Sequence, residues 1–280
     1  MFDFHKNIII DESQITLEVK NILEKGLYNY TEKEALQIIL NCIDLTTLEG
    51  ADNREKVNAL CEKGLNYHKR GNNIPNVAAI CVYPSFARQV SEKLKGSNIK
   101  TACVAGAFPS GQSPLFVKLI EVKYAVDEGA EEVDMVISRG TFLEGNYQVI
   151  FDEIAAIKQA CGNAHLKVIL ETGELQNLTN IRLASDISIA AGADFIKTST
   201  GKILPAATEE AFYVMLQSIK THYEATGKMI GIKPAGGISE PNQALNYFIL
   251  LHHVLGDNWL NNKYFRVGAS RLADKIAEKI

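Results

Sequence analysis

Eight times along the chain a short run of β-branched and apolar residues gives way to a polar turn, and then to a stretch with helical apolar spacing. The runs are Leu40–Thr46, Val77–Tyr83, Ile99–Ala105, Glu132–Ser138, Leu166–Glu171, Ala193–Thr198, Met229–Pro234 and Tyr264–Gly268. Between them, segments such as SPLFVKLIEVKYAVDEGA and NYQVIFDEIAAIKQACG place apolar residues three and four apart. Several strands follow a helix ending in glycine, as in DEGAEEVDMV and AAGADFIKT, where the glycine suits a helix C-cap. Eight strand–helix units are the number that closes a parallel barrel. An open doubly wound sheet is the competing solution, but no GxGxxG follows a first strand. The pairs Gly201–Lys202 and Gly227–Lys228 also lack the rest of a P-loop.

The expected fold is therefore α/β, a (β/α)8 TIM barrel over residues 40–280 with an extra N-terminal helical element. Residues 1–39 show helical spacing in ITLEVKNILEKG and KEALQIIL and are expected to pack on the barrel as that extension. No low-complexity segment or linker marks a second domain. A length of 280 residues with 46% hydrophobic content suits one large barrel domain.

Charge narrows the partners. Twenty-nine Lys and Arg against 33 Asp and Glu give a net charge of −4, with the signs interleaved, so neither nucleic acid nor membrane is an expected partner. The opening MFDFHKNIIIDESQ has too short an apolar run for a secretory signal, and no window reaches the length of a membrane span. The five cysteines, Cys42, Cys61, Cys81, Cys103 and Cys161, show no metal-ligand spacing, which points to a reducing, cytoplasmic compartment and no metal.

Chemistry in a barrel of this kind sits at the C-terminal ends of the strands. Several strands here carry charges: Asp44 on the first, Asp134 on the fourth, Lys167 and Glu171 on the fifth, Lys197 on the sixth, Lys233 on the seventh. Burying an unpaired charge costs several kcal/mol, so half a dozen are not an accident of register. For Asp44, Lys167 and Glu171, ion pairs that only hold the fold compete evenly with a functional role. Lys197 and Lys233 are different, because two lysines near the ends of adjacent strands meet in the barrel mouth. A second ammonium roughly 5 Å away, at an effective dielectric of about 20, opposes protonation by about 3 kcal/mol, which brings an amine toward neutral-pH reactivity. That is what a Schiff-base nucleophile requires.

Glycine-bearing turns follow the same strands. Gly201-Lys202 lies past strand six, Ala235-Gly236-Gly237-Ile238-Ser239 past strand seven, and Gly268-Ala269-Ser270-Arg271 past strand eight. Any one is an ordinary turn more often than not. Three on neighbouring strands favour an anion site built from backbone N–H groups and helix starts.

The segments IDLTTLEG, AAICVYPSFA, GAFPSGQS, EEVDMVISRG, LKVILETGEL, ADFIKTSTGK, KPAGGIS and RVGAS together resemble the deoxyribose-phosphate aldolases, from about Leu40 to about Leu272. The resemblance implies reversible, cofactor-free and metal-free cleavage of 2-deoxy-D-ribose 5-phosphate to acetaldehyde and D-glyceraldehyde 3-phosphate. It implies Lys197 as the Schiff-base lysine, Lys233 as the neighbour that lowers its pKa, and Asp134 as a proton relay working through a water. Lys167 and Asp44 fall on positions of the proton network and substrate pocket, and Cys81 on a pocket position. Thr200, Gly201, Lys202, Gly236, Gly237, Gly268 and Ser270 fall on substrate and phosphate positions. A homodimer is expected by resemblance alone.

Two departures stand out: Arg271 replaces a second serine, and Ser239 a residue that is sometimes basic. The sequence ends AEKI, so the terminal tyrosine that assists proton transfer in some relatives is not expected here. Two other readings compete: a Schiff-base barrel aldolase with another substrate, and a non-catalytic phosphosugar-binding barrel. Retention of Asp134 and both lysines speaks against the second.

Overall fold

In a computed structural model, the described residues 9–280 include eight short parallel strands: β1 (Ile43–Thr46), β2 (Ala79–Val82), β3 (Lys100–Ala105), β4 (Glu132–Val136), β5 (His165–Ile169), β6 (Phe195–Lys197), β7 (Gly231–Lys233) and β8 (Val267–Ala269). Each falls in or at the edge of its expected run, and β8 starts three residues late because Tyr264 lies in a turn and Phe265 makes only an isolated bridge. The sheet order is β7-β6-β5-β4-β3-β2-β1-β8. Isolated parallel bridges Ile232↔Phe265 and Ala235↔Gly268 bring β7 and β8 together, so the sheet is a nearly closed (β/α)8 barrel.

Two helices precede the barrel strands, α1 (Glu12–Leu23) and α2 (Glu32–Asn41). The strands are followed in turn by α3 (Arg54–Leu65), α4 (Ala87–Leu94), α5 (Leu115–Asp127), the pair α6 (Arg139–Leu143) and α7 (Tyr147–Cys161), α8 (Leu178–Ala190), α9 (Glu209–Thr226), α10 (Pro241–Leu255) and α11 (Leu272–Lys279). Local chemistry fixes the starts. Asp11 caps α1, a Thr31/Glu34 capping box opens α2, and Thr208 caps α9. Helix α1 buries Ile15, Val19 and Ile22 at a three-and-four spacing and packs against α9 and α10. Helix α2 lies against α10 and α11. The N-terminal helices thus cover the outer layer beside the last three units. Residues 1–8 of the expected extension lie outside the described residues.

The barrel wall has two cores. The larger lies between strands and helices, and a smaller one of Leu48, Ala79, Cys81, Ala102 and Val104 fills the inside of the barrel on the β1–β3 side. Charged side chains fill the rest of the interior. Glycine makes room for large side chains at two places. A Cβ on Gly231 would run into the Phe195 ring, and one on Gly268 would sit 3.1 Å from Lys233 Cε and 2.8 Å from Ala235 Cβ.

Candidate active site

The sheet register sets the site. Lys197 and Lys233 are the last residues of β6 and β7 and pair directly across the ladder, so both side chains leave the same face at the same level. Asp134 and Lys167 pair in the same way one layer down, in the middle of β4 and β5. Lysine chains from the layer above and from the same layer therefore converge on the short Asp134 carboxylate.

Asp134 is completely buried and touches three ammonium groups. Lys167 Nζ donates to its Oδ1 at 2.8 Å, while Lys197 and Lys233 donate to its Oδ2 at 2.8 and 2.7 Å. Lys233 Nζ also lies 2.5 Å from Asp44 Oδ2. Lys167 Nζ lies 2.6 Å from Glu132 and 3.8 Å from Asp44. Beneath them Arg266 donates to Asp44 Oδ1 at 2.6 Å and to both oxygens of Glu132, at 2.6 and 2.9 Å. Arg266 and Glu132 did not figure among the strand-end charges. They sit on the strands' N-terminal side, below the mouth, and their only signal was a charge inside the apolar runs EEVDMV and YFRVGA.

The cluster holds four cations, Lys167, Lys197, Lys233 and Arg266, against three carboxylates, Asp44, Glu132 and Asp134. All seven side chains are 5% exposed or less, so the surplus positive charge has little solvent to spread into. One cation has reason to lose its proton, and the electrostatics single out Lys197. Burial lowers its pKa, the Lys233 ammonium assists, and Asp134 opposes without prevailing. Burial is thus a larger cause than the neighbouring ammonium, the reverse of the weighting read from the sequence. Lys233 is also penalised by burial, but two carboxylates, Asp134 and Asp44, overcome this and raise it. Lys167 is raised for the same reason, with Asp134, Glu132 and Asp44 around it. Burial would raise the Asp134 and Asp44 carboxyls, yet the surrounding cations hold both well below the carboxylate range.

Above the cluster opens a cavity of about 710 Å³. Lys197 and Lys233 form its floor, and Thr200, Gly201, Lys202, Gly236, Gly237, Gly268 and Ser270 line it, as do the two departures Ser239 and Arg271. The turns after β6 and β7 press together. Gly201 and Gly236 have φ of +78° and +85°, and a Cβ on Gly236 would stand 2.6 Å from Ala206 Cβ and 3.0 Å from Gly201 Cα. Lys202 Nζ is 3.0 Å from Glu49 across the rim. Gly268 also makes room for Lys233 itself. Asp44, Asp134 and Lys167 lie beneath the cavity rather than in its lining. Cys81 is buried in the apolar half of the interior, and burial pushes its thiol up. Glu171 joins none of the cluster's ion pairs. It is held by Thr200 and Arg139.

Residues 38–246 match the DeoC/LacD family aldolase. The chain is 44% identical over 251 residues to the deoxyribose-phosphate aldolase of Homo sapiens, covering 85% of this chain and 78% of that one. It is 42% identical over 254 residues to that of Bos taurus, with 86% and 79% covered. Among solved structures, the tetrameric deoxyribose phosphate aldolase of Aeropyrum pernix superposes with a TM-score of 0.71 at 26% identity, covering 93% of this chain and 97% of that one. A triosephosphate isomerase from Bartonella henselae, at 14% identity and a TM-score of 0.53, shares the fold. With a buried lysine cluster under an open barrel mouth and this match over most of its length, the chain belongs to the DeoC/LacD family of aldolases and is a lyase.

Proposed function

We propose that the chain reversibly cleaves 2-deoxy-D-ribose 5-phosphate to acetaldehyde and D-glyceraldehyde 3-phosphate through an imine on Lys197. The observation that carries this reading is the surplus cation of the buried cluster, with Lys197 at the cavity floor as the lysine whose pKa burial lowers. The names of the relatives supply the substrate.

In the open-chain sugar, the Lys197 amine adds to the C1 aldehyde. Its proton moves to the carbinolamine oxygen, a second proton taken up from solvent lets that hydroxyl leave as water, and an iminium remains. Acetaldehyde carries C1 and C2, so the bond that breaks is C2–C3. Its electron pair flows to the iminium nitrogen, the C3 hydroxyl loses its proton, and glyceraldehyde 3-phosphate departs. The enamine then takes a proton at C2, and hydrolysis releases acetaldehyde. Asp134 Oδ2 touches both Lys197 and Lys233, so it lies on the path between the reacting nitrogen and a firmly held ammonium. As a strongly held carboxylate it stores no proton for long, but it offsets the charge of the iminium. Gly201, Lys202, Gly236, Gly237, Ser270 and the start of α11 offer N–H groups and a cation to the phosphate.

Cleavage assays with several sugar phosphates and keto acids test this reading. Turnover strongest with 2-deoxyribose 5-phosphate is expected. A stronger preference for another substrate, or binding with no turnover, contradicts it. A homodimer in the cytoplasm belongs to the same reading. The exposed stripe Phe116, Ile120 and Tyr124 on α5 and the five buried free thiols support it, and light scattering checks the mass.

A further inference from the structure

The loop after β5 carries a carboxylate that the imine chemistry leaves unused. Glu171 is fully buried, and its backbone has a φ of 56°, a left-handed conformation that a side chain enters only at a cost. The surroundings enforce it. Thr172 N–H donates to Thr198 O at 2.9 Å, and a Cβ on the next residue, Gly173, would collide with the Pro205 carbonyl. The turn after β5 is therefore pressed against the loop after β6, and the twist at Glu171 aims its carboxylate into that loop.

What it meets there is Thr200. The Thr200 hydroxyl donates to Glu171 Oε2 at 2.5 Å and the Thr200 N–H to Oε1 at 3.2 Å, so one carboxylate fixes both side chain and backbone of the same residue. The hydroxyl in turn accepts from Lys202 N–H at 3.1 Å, which folds the Thr200–Lys202 turn over Gly201. On the other side Arg139 Nη1 stands 3.4 Å from Glu171 Oε2. Its Nη1 and Nη2 also donate to the carbonyls of Pro109 and Ser110, each at 3.1 Å. The carboxylate is thus anchored to the loops after β3 and β4 and directed at the loop after β6.

We propose that Glu171 is a positioning residue that fixes the Thr200–Lys202 turn in the orientation needed to grip the substrate's phosphate. The inference rests on the reading of the cavity as a phosphosugar site. Glu171 makes no contact with Lys197, Lys233 or Asp134 among the polar contacts described, so its effect is on binding of the anion rather than on the imine. A charged acceptor that bonds a hydroxyl and an amide together is lost only partly on conversion to an amide, and fully on truncation.

The test is steady-state cleavage of 2-deoxyribose 5-phosphate and of unphosphorylated 2-deoxyribose, with inorganic phosphate as inhibitor, in wild type, Glu171→Gln, Glu171→Ala and Thr200→Val. Glu171→Ala is expected to raise KM for the phosphorylated substrate and Ki for phosphate about tenfold or more, with Glu171→Gln in between. The kcat, and the kinetics on 2-deoxyribose, are expected to change far less. Thr200→Val, which keeps the shape but removes the hydroxyl, should reproduce the KM effect, and the Glu171→Gln/Thr200→Val double variant should add little to either. A loss of kcat shared equally by both substrates, or an unchanged KM in folded Glu171→Gln and Thr200→Val, overturns the inference while leaving the substrate reading intact. If wild type shows no preference for the phosphorylated sugar and no inhibition by phosphate, the substrate reading fails and the inference with it.

Discussion

Lys197 and Lys233 donate to one and the same oxygen, Asp134 Oδ2, at 2.8 and 2.7 Å. They are equal partners in geometry, and their pKa values are pushed in opposite directions. Lys233 has a second carboxylate, Asp44, at 2.5 Å, and among the described residues Lys197 has none. That difference lets burial prevail at Lys197 and fail at Lys233. One lysine is shifted toward the free amine and the other is held as the ammonium.

A first consequence concerns stability. Lys197 is more easily deprotonated folded than unfolded, so between its lowered pKa and about 10.4 the unfolded chain binds more protons, and stability rises with pH. Below that window its burial is a net cost. Lys197→Met should therefore abolish activity yet raise stability near pH 7 by about 1–2 kcal/mol, because Asp134 Oδ2 keeps Lys233 as partner. Urea unfolding of both proteins at pH 7 measures the difference.

A second follows from Lys233. Its charge helps lower Lys197, and it shares Asp134 with it. Replacing it with Met removes the repulsion and leaves Asp134 freer to hold a protonated Lys197. The acid limb of the kcat/KM profile, where activity rises as Lys197 loses its proton, should move to higher pH in Lys233→Met. A residual rate measured from pH 6 to pH 10 shows the shift.

At the cavity rim, Gly236→Ala tests the packing of the turns. Its φ of +85° and the 2.6 Å approach to Ala206 Cβ leave a methyl no room. The displaced turn should raise KM for the phosphorylated substrate about tenfold or more, with a smaller effect on kcat. Parallel assays with 2-deoxyribose, whose KM should hardly change, separate this from general damage.

Arg266 offers a structural test. It pairs with Asp44 and Glu132 beneath the catalytic layer. Their depressed carboxyl pKa values contribute stability that is complete above the unfolded values near pH 4 and is lost as pH falls through the folded ones. Arg266→Met should cost about 3–5 kcal/mol at pH 7, and the gap to wild type should shrink at pH 3. Denaturant unfolding at the two pH values reads it.

The barrel was legible because its strands are buried on both faces, and an apolar run between amphipathic helices has few other solutions. Lys197 and Lys233 stood out for the same reason, as cations in the runs ADFIK and IGIK. Arg266 and Glu132 lie in such runs too, but at the strands' N-terminal side, away from the ends where barrel chemistry is expected. Which of the buried charges balance is a property of three-dimensional packing. Spacing brings Lys197 and Lys233 to one level, yet the Asp44 carboxylate that distinguishes them comes from β1, five strands from β6 along the sheet order. The grip of Glu171 on Thr200 was hidden likewise, since it depends on a left-handed twist at a glutamate that no local pattern announces.

The most direct measurement is borohydride trapping. The protein is incubated with 2-deoxyribose 5-phosphate, reduced, digested and mapped by mass spectrometry, with Lys197→Ala as control. A reduced two-carbon or sugar adduct on Lys197, absent from the control, is the predicted result. An adduct on Lys233, or turnover with no adduct on any lysine, would contradict the assignment of Lys197 as the surplus, imine-forming amine.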